Sequence, residues 1–264
     1  MARIRIVVLA TATVLCCATT TAAVAEPTTG RARVPYTIRT GNTTTVFPHS
    51  TATTNIPCFP GEFSFGGGAL TTGNSVFVTA TRAGGAGWDV DAYNESDTPQ
   101  TLTASAVCAA GYKNHRLGDY VHVPAGQSGT SRATCDPGQV ASGGGNIAAG
   151  TQTYVSQSSD EGRTWVARVF NRSPFEQRVE AQVICTTTPH TAYPSGPVTV
   201  GQGATRTAHA ECRPGEVATG GGGLGDPSLQ FNETYPTPTG WTVRATNKGT
   251  GPLTLSARVI CTTP

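Results

Sequence analysis

The stretch CDPGQVASGGG, Cys135 to Gly145, decides the fold because it is written three times: it stands as CFPGEFSFGGG at residues 58–68 and as CRPGEVATGGG at residues 212–222. Cys58, Cys135 and Cys212 are therefore spaced by 77 residues. The same period links Trp88, Trp165 and Trp241, the only tryptophans of the chain, and then Asn94, Asn171 and Asn247. It ends on Cys108, Cys185 and Cys261, each closing an alternating segment: LTASAVC, VEAQVIC and LSARVIC. A period of this length repeated in register marks an internally triplicated chain.

Each unit has the pattern of antiparallel β-structure. Leu253, Leu255, Ala257, Val259 and Cys261 alternate with Thr254, Ser256, Arg258 and Ile260, and Trp241, Val243 and Ala245 alternate with Thr242, Arg244 and Thr246. Pro-Gly after each first cysteine suits a type II turn, with Pro presetting φ and Gly accepting the positive φ that follows. The Asn of each W-x5-N begins a turn to the last strand. No window keeps a helical period, so the chain is expected to be all-β: three tandem antiparallel β-repeats of about 77 residues, each with one disulfide.

Outward from the repeats, the ends of the chain divide as follows. Arg3 and Arg5 precede an apolar run from Ile6 to Cys17, and Ala23-Val24-Ala25 is a small-x-small site, so residues 1–25 are expected to be a signal peptide. Residues 26–33 form an N-terminal arm, followed by β-repeats at 34–112, 113–190 and 191–264. No stretch approaches the 18 apolar residues of a membrane span. The whole chain has 264 residues, eight Cys and a net charge of +2. Without Cys16, Cys17, Arg3 and Arg5, six cysteines and a net charge of zero remain. An even cysteine count in an exported chain predicts disulfides in an oxidising space, and neutrality removes the electrostatic case for nucleic acid or anionic membrane as partner.

Two pairings obey the period. One joins Cys58 to Cys108, Cys135 to Cys185 and Cys212 to Cys261; the other joins Cys108 to Cys135, Cys185 to Cys212 and Cys58 to Cys261. The first is preferred, because a unit that was duplicated must have folded alone and a small β-unit benefits from its own staple. Whether the units are separate beads or pack about a pseudo-threefold axis stays open on sequence.

Searching for chemistry returns little. Oxidised cysteines remove thiol catalysis and thiolate metal sites, and His49, His115, His122, His190 and His209 show no zinc-ligand spacing. No G-x-S-x-G elbow is present, and the Gly runs lack the G-K-[ST] of a phosphate loop, which leaves them as bulge or close-packing positions under the Trp. The tryptophans are expected in the core, not as sugar platforms, with a lectin site better placed in loops at 154–163 and 231–239. Asp89, Asp91, Glu95 and Asp97 are hard-oxygen residues peculiar to repeat 1, without the spacing of a calcium loop; they are expected to form a solvated or docking face. No enzyme activity, metal or cofactor is expected.

Two features break the repeat. The interval from Gly41 to Cys58 is eight residues longer than from Gly126 to Cys135 or Gly203 to Cys212, which suggests an extra Thr-rich segment, NTTTVFPHSTATTNIP, that extends a hairpin or forms a contact loop. The other is the arm, whose Arg31 and Arg33 are candidate partner-binding residues.

The order C-x-P-G, G-G-G, W-x5-N, strand, Cys resembles a family of bacterial secreted repeat proteins whose members carry C-P-x-G or C-x-P-G at the first position. The chain also resembles, by size, export and disulfides, the adaptor subunits of umbrella-shaped secreted toxin particles. The resemblance implies a non-catalytic secreted protein that binds other secreted proteins, connecting a lectin-bearing to a toxin-bearing subunit. The alternatives are a lectin-like carbohydrate-binding protein and an extracellular protease inhibitor.

Overall fold

The computed structural model describes residues 35–111 and 114–264, and Arg31 and Arg33 lie outside the described residues. All the described secondary structure is β. Among the described residues no helix is long and apolar enough to cross a membrane.

Repeat 1 contains β1 (Thr37–Val46), β2 (Thr51–Ile56), β3 (Glu62–Thr71), β4 (Val76–Gly84), β5 (Gly87–Asn94) and β6 (Gln100–Ala110). In repeat 2 the place of β1 is taken by two short strands, β7 (His115–Leu117) and β8 (Val121–Val123). They precede β9 (Ser128–Thr134), β10 (Val140–Ala149), β11 (Thr153–Glu161), β12 (Thr164–Asn171) and β13 (Gln177–Thr186). Repeat 3 follows repeat 2: β14 (Thr191–Pro194), β15 (Val198–Val200), β16 (Thr205–Glu211), β17 (Val217–Gly225), β18 (Leu229–Thr237), β19 (Gly240–Asn247) and β20 (Leu253–Thr262). The disulfides are those internal to each repeat, Cys58–Cys108, Cys135–Cys185 and Cys212–Cys261, with Cα atoms 5.6, 5.6 and 5.8 Å apart.

Each repeat is a small sandwich whose two leaves enter different sheets. The orders are β1-β6-β3-β18-β19-β16, β2-β5-β4-β10-β13-β7 and β14-β20-β17-β11-β12-β9, with β8 and β15 pairing β13 and β20. Each sheet is therefore half one repeat and half another. The seams are narrow: Thr81 faces Asn146 between repeats 1 and 2, Gln157 and Ser158 face Leu224 and Gly223 between 2 and 3, and Ala69 faces Thr234 between 3 and 1. Three such seams close a ring, and residues 34–264 pack as one unit instead of three beads.

The Gly-Gly-Gly tripeptides make this closure possible. A Cβ on the first glycine would strike backbone of another repeat at the centre of the ring: Gly66 against Thr219 and Gly220, Gly143 against Phe65, Gly220 against Ser142 and Gly143. On the second it would strike the indole of the same repeat, Trp88, Trp165 or Trp241. On the third it would strike the carbonyl of the neighbouring seam strand, Thr234, Thr81 or Ser158. Before each run a β-bulge, between Ser64 and Gly66, Ala141 and Gly143, and Ala218 and Gly220, turns the strand inward.

The tryptophans are wholly buried. So are the three asparagines, whose side chains clamp the end of each sandwich. Asn171 Nδ2 donates to the carbonyls of Val123 (2.9 Å) and Phe175 (2.7 Å), while its Oδ1 accepts from the Ser173 amide and hydroxyl. Asn94 makes the same four bonds, to Val46, Thr98 and Ser96, and Asn247 makes three, to Val200, Gly251 and Gly249. Burial of an amide costs little when its donors and acceptor are paired in this way.

Two expectations are corrected. The Thr-rich segment is no insertion: it forms the β1–β2 hairpin, whose turn places His49 at φ 49°, where repeats 2 and 3 have Gly126 at 71° and Gly203 at 70°. Matching Gly41 to those glycines misplaced the register, because a histidine occupies the left-handed position in repeat 1. Nor are residues 154–163 and 231–239 loops; β11 and β18 run through them, and in β11 even Ser156, Ser158, Ser159 and Asp160 are buried. These polar strands are interior because their outer faces and backbones meet a second repeat.

Candidate partner-binding face

All sandwiches point the same way, so the body has a cysteine end, carrying the C-x-P-G turns, and an asparagine end. The turns are built alike, with Gly61, Gly138 and Gly215 at φ 85°, 83° and 87° and the amides of Glu62, Gln139 and Glu216 bonded to the carbonyls of Phe59, Asp136 and Arg213. Their exposed x residue pairs across to the first strand of its repeat in three ways. The Arg39 guanidinium stacks on Phe59 at 3.5 Å, Arg116 forms an ion pair with Asp136, and Arg213 lies over Tyr193 at 5.0 Å.

Repeat 1 departs most from its copies at this end. Phe59, 60% exposed, stands where the others have Asp136 and Arg213. Phe65 occupies the bulge held elsewhere by the buried Ser142 and Thr219, and packs edge-on against Tyr36 with ring centroids 5.3 Å apart. Tyr36 stands between two clefts. One, of about 340 Å³, lies on the seam with repeat 2 beside Phe65, Ala110, Gln139 and Thr188. The other, of about 270 Å³, lies on the seam with repeat 3 beside Ile38, Val217 and Pro238. Partial burial raises the Tyr36 hydroxyl above the usual phenol range, so it is a neutral donor at the lip of both clefts.

The face is chemically suited to contact. The two clefts share Tyr36, and the one toward repeat 2 adds Phe65 and the amide of Gln139, whose Oε1 is buried without a partner. Apolar anchors beside isolated polar groups are the composition of protein-binding surfaces. Phe47 and Phe175, also exposed, sit at the asparagine end and outside this cluster.

Other candidates from the sequence do not converge. Asp91 is held by Arg82 at 2.7 Å, with Asp89 3.9 Å from the same guanidinium; Asp97 pairs with His49 at 2.8 Å, and Glu95 turns toward Lys248 at 3.0 Å. Among the described residues no group of three or more His, Cys, Asp or Glu is placed to hold a metal ion. His122 pairs with Glu176, His209 with Thr242, and His190 with the Thr188 carbonyl, where burial pulls the imidazole below its usual range. The aromatic face itself was missed on sequence, although a signal was available: Phe59 and Phe65 are aromatic exceptions at two positions that are polar in the other repeats.

No protein-family model matches the chain, and no curated protein sequence matches it significantly.

Proposed function

We propose that the protein is a non-catalytic, exported adaptor that binds other secreted proteins, as the connecting subunit of an extracellular toxin assembly would. The observation that carries this reading is the aromatic face of Phe59, Phe65 and Tyr36 at the cysteine end of repeat 1. A threefold scaffold with one distinct face presents one partner with a unique docking site instead of three equivalent ones. Three disulfides are compatible with an extracellular site of action. In this reading Arg31 or Arg33 is a cationic anchor for a partner, and Phe59, Phe65 and Tyr36 supply an apolar contact.

Affinity purification of the tagged protein from culture supernatant, with mass spectrometry, tests the proposal. An exported partner is expected with the intact chain, and its yield is expected to fall at least tenfold in a variant lacking residues 26–33 and in a Phe59→Ser, Phe65→Ser double variant. Unchanged yield in both variants, or a lone monomer from the intact chain, overturns it.

A further inference from the structure

The strongest unassigned site lies at the other end of the body, on the seam between repeats 2 and 3. The pseudosymmetry shows why a cavity opens there. Phe77, Tyr154 and Gln230 occupy equivalent places, each pairing across its strands with the residue before the clamp asparagine: Tyr93, Phe170 and Thr246. At the seam between repeats 1 and 2 the Tyr154 ring fills the space, 5.2 Å from Phe77 and 6.3 Å from Tyr93, and its hydroxyl donates to Glu95 at 2.7 Å. At the seam between repeats 2 and 3 the same place is taken by Gln230. The smaller side chain leaves a cavity of about 350 Å³ lined by Gly126, Phe170, Arg172, Ser228, Gln230 and Lys248.

This cavity carries charge and an unmet polar group. Glu95, Arg172 and Lys248 are themselves the three equivalents that follow the clamp asparagines, and one carboxylate serves two cations. Lys248 is 3.0 Å from Glu95, while Arg172 stands off at 3.8 Å with its side chain 42% exposed. The cluster therefore keeps a net charge of +1, and both of its cations line the cavity. Gln230 is 1% exposed and its Oε1 is buried without a hydrogen-bond partner, a deficit that a ligand O–H would remove. Phe170, half-buried, supplies an apolar wall.

We infer that this cavity binds the acidic sugar residue of a polyanionic glycan, a uronate, with its carboxylate on Arg172 and Lys248, a ring hydroxyl donating to Gln230 Oε1, and its apolar ring face on Phe170. Arg suits a carboxylate because its fork of donors matches two oxygens. A peptide carboxylate would meet the same cations, but the strands that carry Phe170 and Gln230, β12 and β18, are each paired on both sides, so no open edge is left to receive a peptide backbone. The volume exceeds that of a lone oxyanion and suits one pyranose. This site is independent of the proposed adaptor face.

Titration calorimetry of the full mature chain with a glucuronate disaccharide, a neutral glucose disaccharide, sulfate and a peptide with a free carboxyl terminus tests the inference. The glucuronate ligand is expected to bind at least tenfold more tightly than the other three, and Arg172→Gln to weaken it at least tenfold. Gln230→Tyr installs the side chain that the equivalent seam already accommodates, so it is expected to abolish uronate binding with an unchanged unfolding midpoint. Deletion of residues 26–33 is expected to leave uronate binding intact. The inference is overturned if glucuronate does not bind, if neutral sugar, sulfate or peptide binds equally well, or if folded Gln230→Tyr and Arg172→Gln both bind as the parent does.

Discussion

The interior of the repeats and the seams between them follow opposite rules. Inside, the same residues recur: three Gly-Gly-Gly runs under three tryptophans, three buried asparagines and three disulfides. The seams share the third glycine of each run and, at two of them, an equivalent arginine, Arg168 or Arg244, but their other polar contacts differ. Between repeats 1 and 2 the Ala83 amide donates to Gln182 Oε1 at 2.6 Å. Between repeats 2 and 3 the equivalent positions hold Asp160 and Arg258, 3.0 Å apart, and Arg168 reaches the Gly225 carbonyl. Between repeats 3 and 1 the contact moves to Glu233 and Arg244, which pair at 2.9 Å and bind the Thr71 amide and the Asn74 side chain. Identical interiors let each sandwich form by the same contacts. Unlike seams set the order of the ring, because a leaf that pairs with the wrong neighbour strands a charge or an amide.

The largest break in the comparison is expected at the shared interior. A Cβ on Gly144 meets both the Trp165 ring, which is wholly buried, and the Gln182 carbonyl of the paired strand. Gly144→Val is therefore expected to cost on the order of 3 kcal/mol or more, read from the urea midpoint. Gly67→Val and Gly221→Val are expected to match it closely, since each glycine meets the same indole. A clear difference among the three would mean that the interiors are not energetically equivalent.

The seams should give unequal results. Arg258→Met leaves Asp160 buried and unpaired and is expected to cost about 3 kcal/mol, whereas Gln182→Met at the equivalent place removes a neutral contact, at about 1 kcal/mol. Asp160 also sets a pH dependence. Its burial raises the carboxyl above the usual range, more than the Arg258 charge and the Gly162 amide lower it. A raised folded value means that the native state binds the proton more tightly than the unfolded chain. Stability from this group is thus present at low pH and lost as pH rises from the ordinary carboxylate value through the raised one. Asp160→Asn is expected to remove that slope, measured as urea midpoints across the acid range; an unchanged slope would place the dependence elsewhere.

How much of this could be read from sequence follows the same division. The triplication, the all-β class and the internal disulfides were legible because they rest on residues repeated three times, such as Cys135, Trp165 and Asn171. The ring was not legible, because only one or two residues pair across each seam and the recurring glycines do not say which backbone they approach. β11 looked like a loop for that reason: its Ser156 to Asp160 run is polar, and only a second repeat makes it interior. His49 hid the register of repeat 1 because a positive φ is signalled by glycine in the other two units. Of the candidate sites, the aromatic face required noticing Phe59 and Phe65 as exceptions, and the seam cavity required knowing that Gln230 and Tyr154 are equivalent across different seams.

The smallest effects belong to the turn tips, where the geometry repeats and the chemistry does not. Arg39 with Phe59, Arg116 with Asp136, and Tyr193 with Arg213 occupy equivalent positions. The ion pair is about half-exposed on both sides, so solvent screens most of its attraction, and Arg116→Ala is expected to cost no more than about 0.5 kcal/mol. The stacked pairs keep the guanidinium against a ring face, and Arg39→Ala or Arg213→Ala is expected to cost about 0.5 to 1 kcal/mol. Salt separates the two kinds more sharply than magnitude does. Raising ionic strength is expected to erase the cost of Arg116→Ala while leaving most of the cost of Arg39→Ala, because burial of the Arg39 stem on Phe59 is apolar contact that salt does not screen. Equal salt sensitivity in both would mean that the Phe59 contact is held by charge alone.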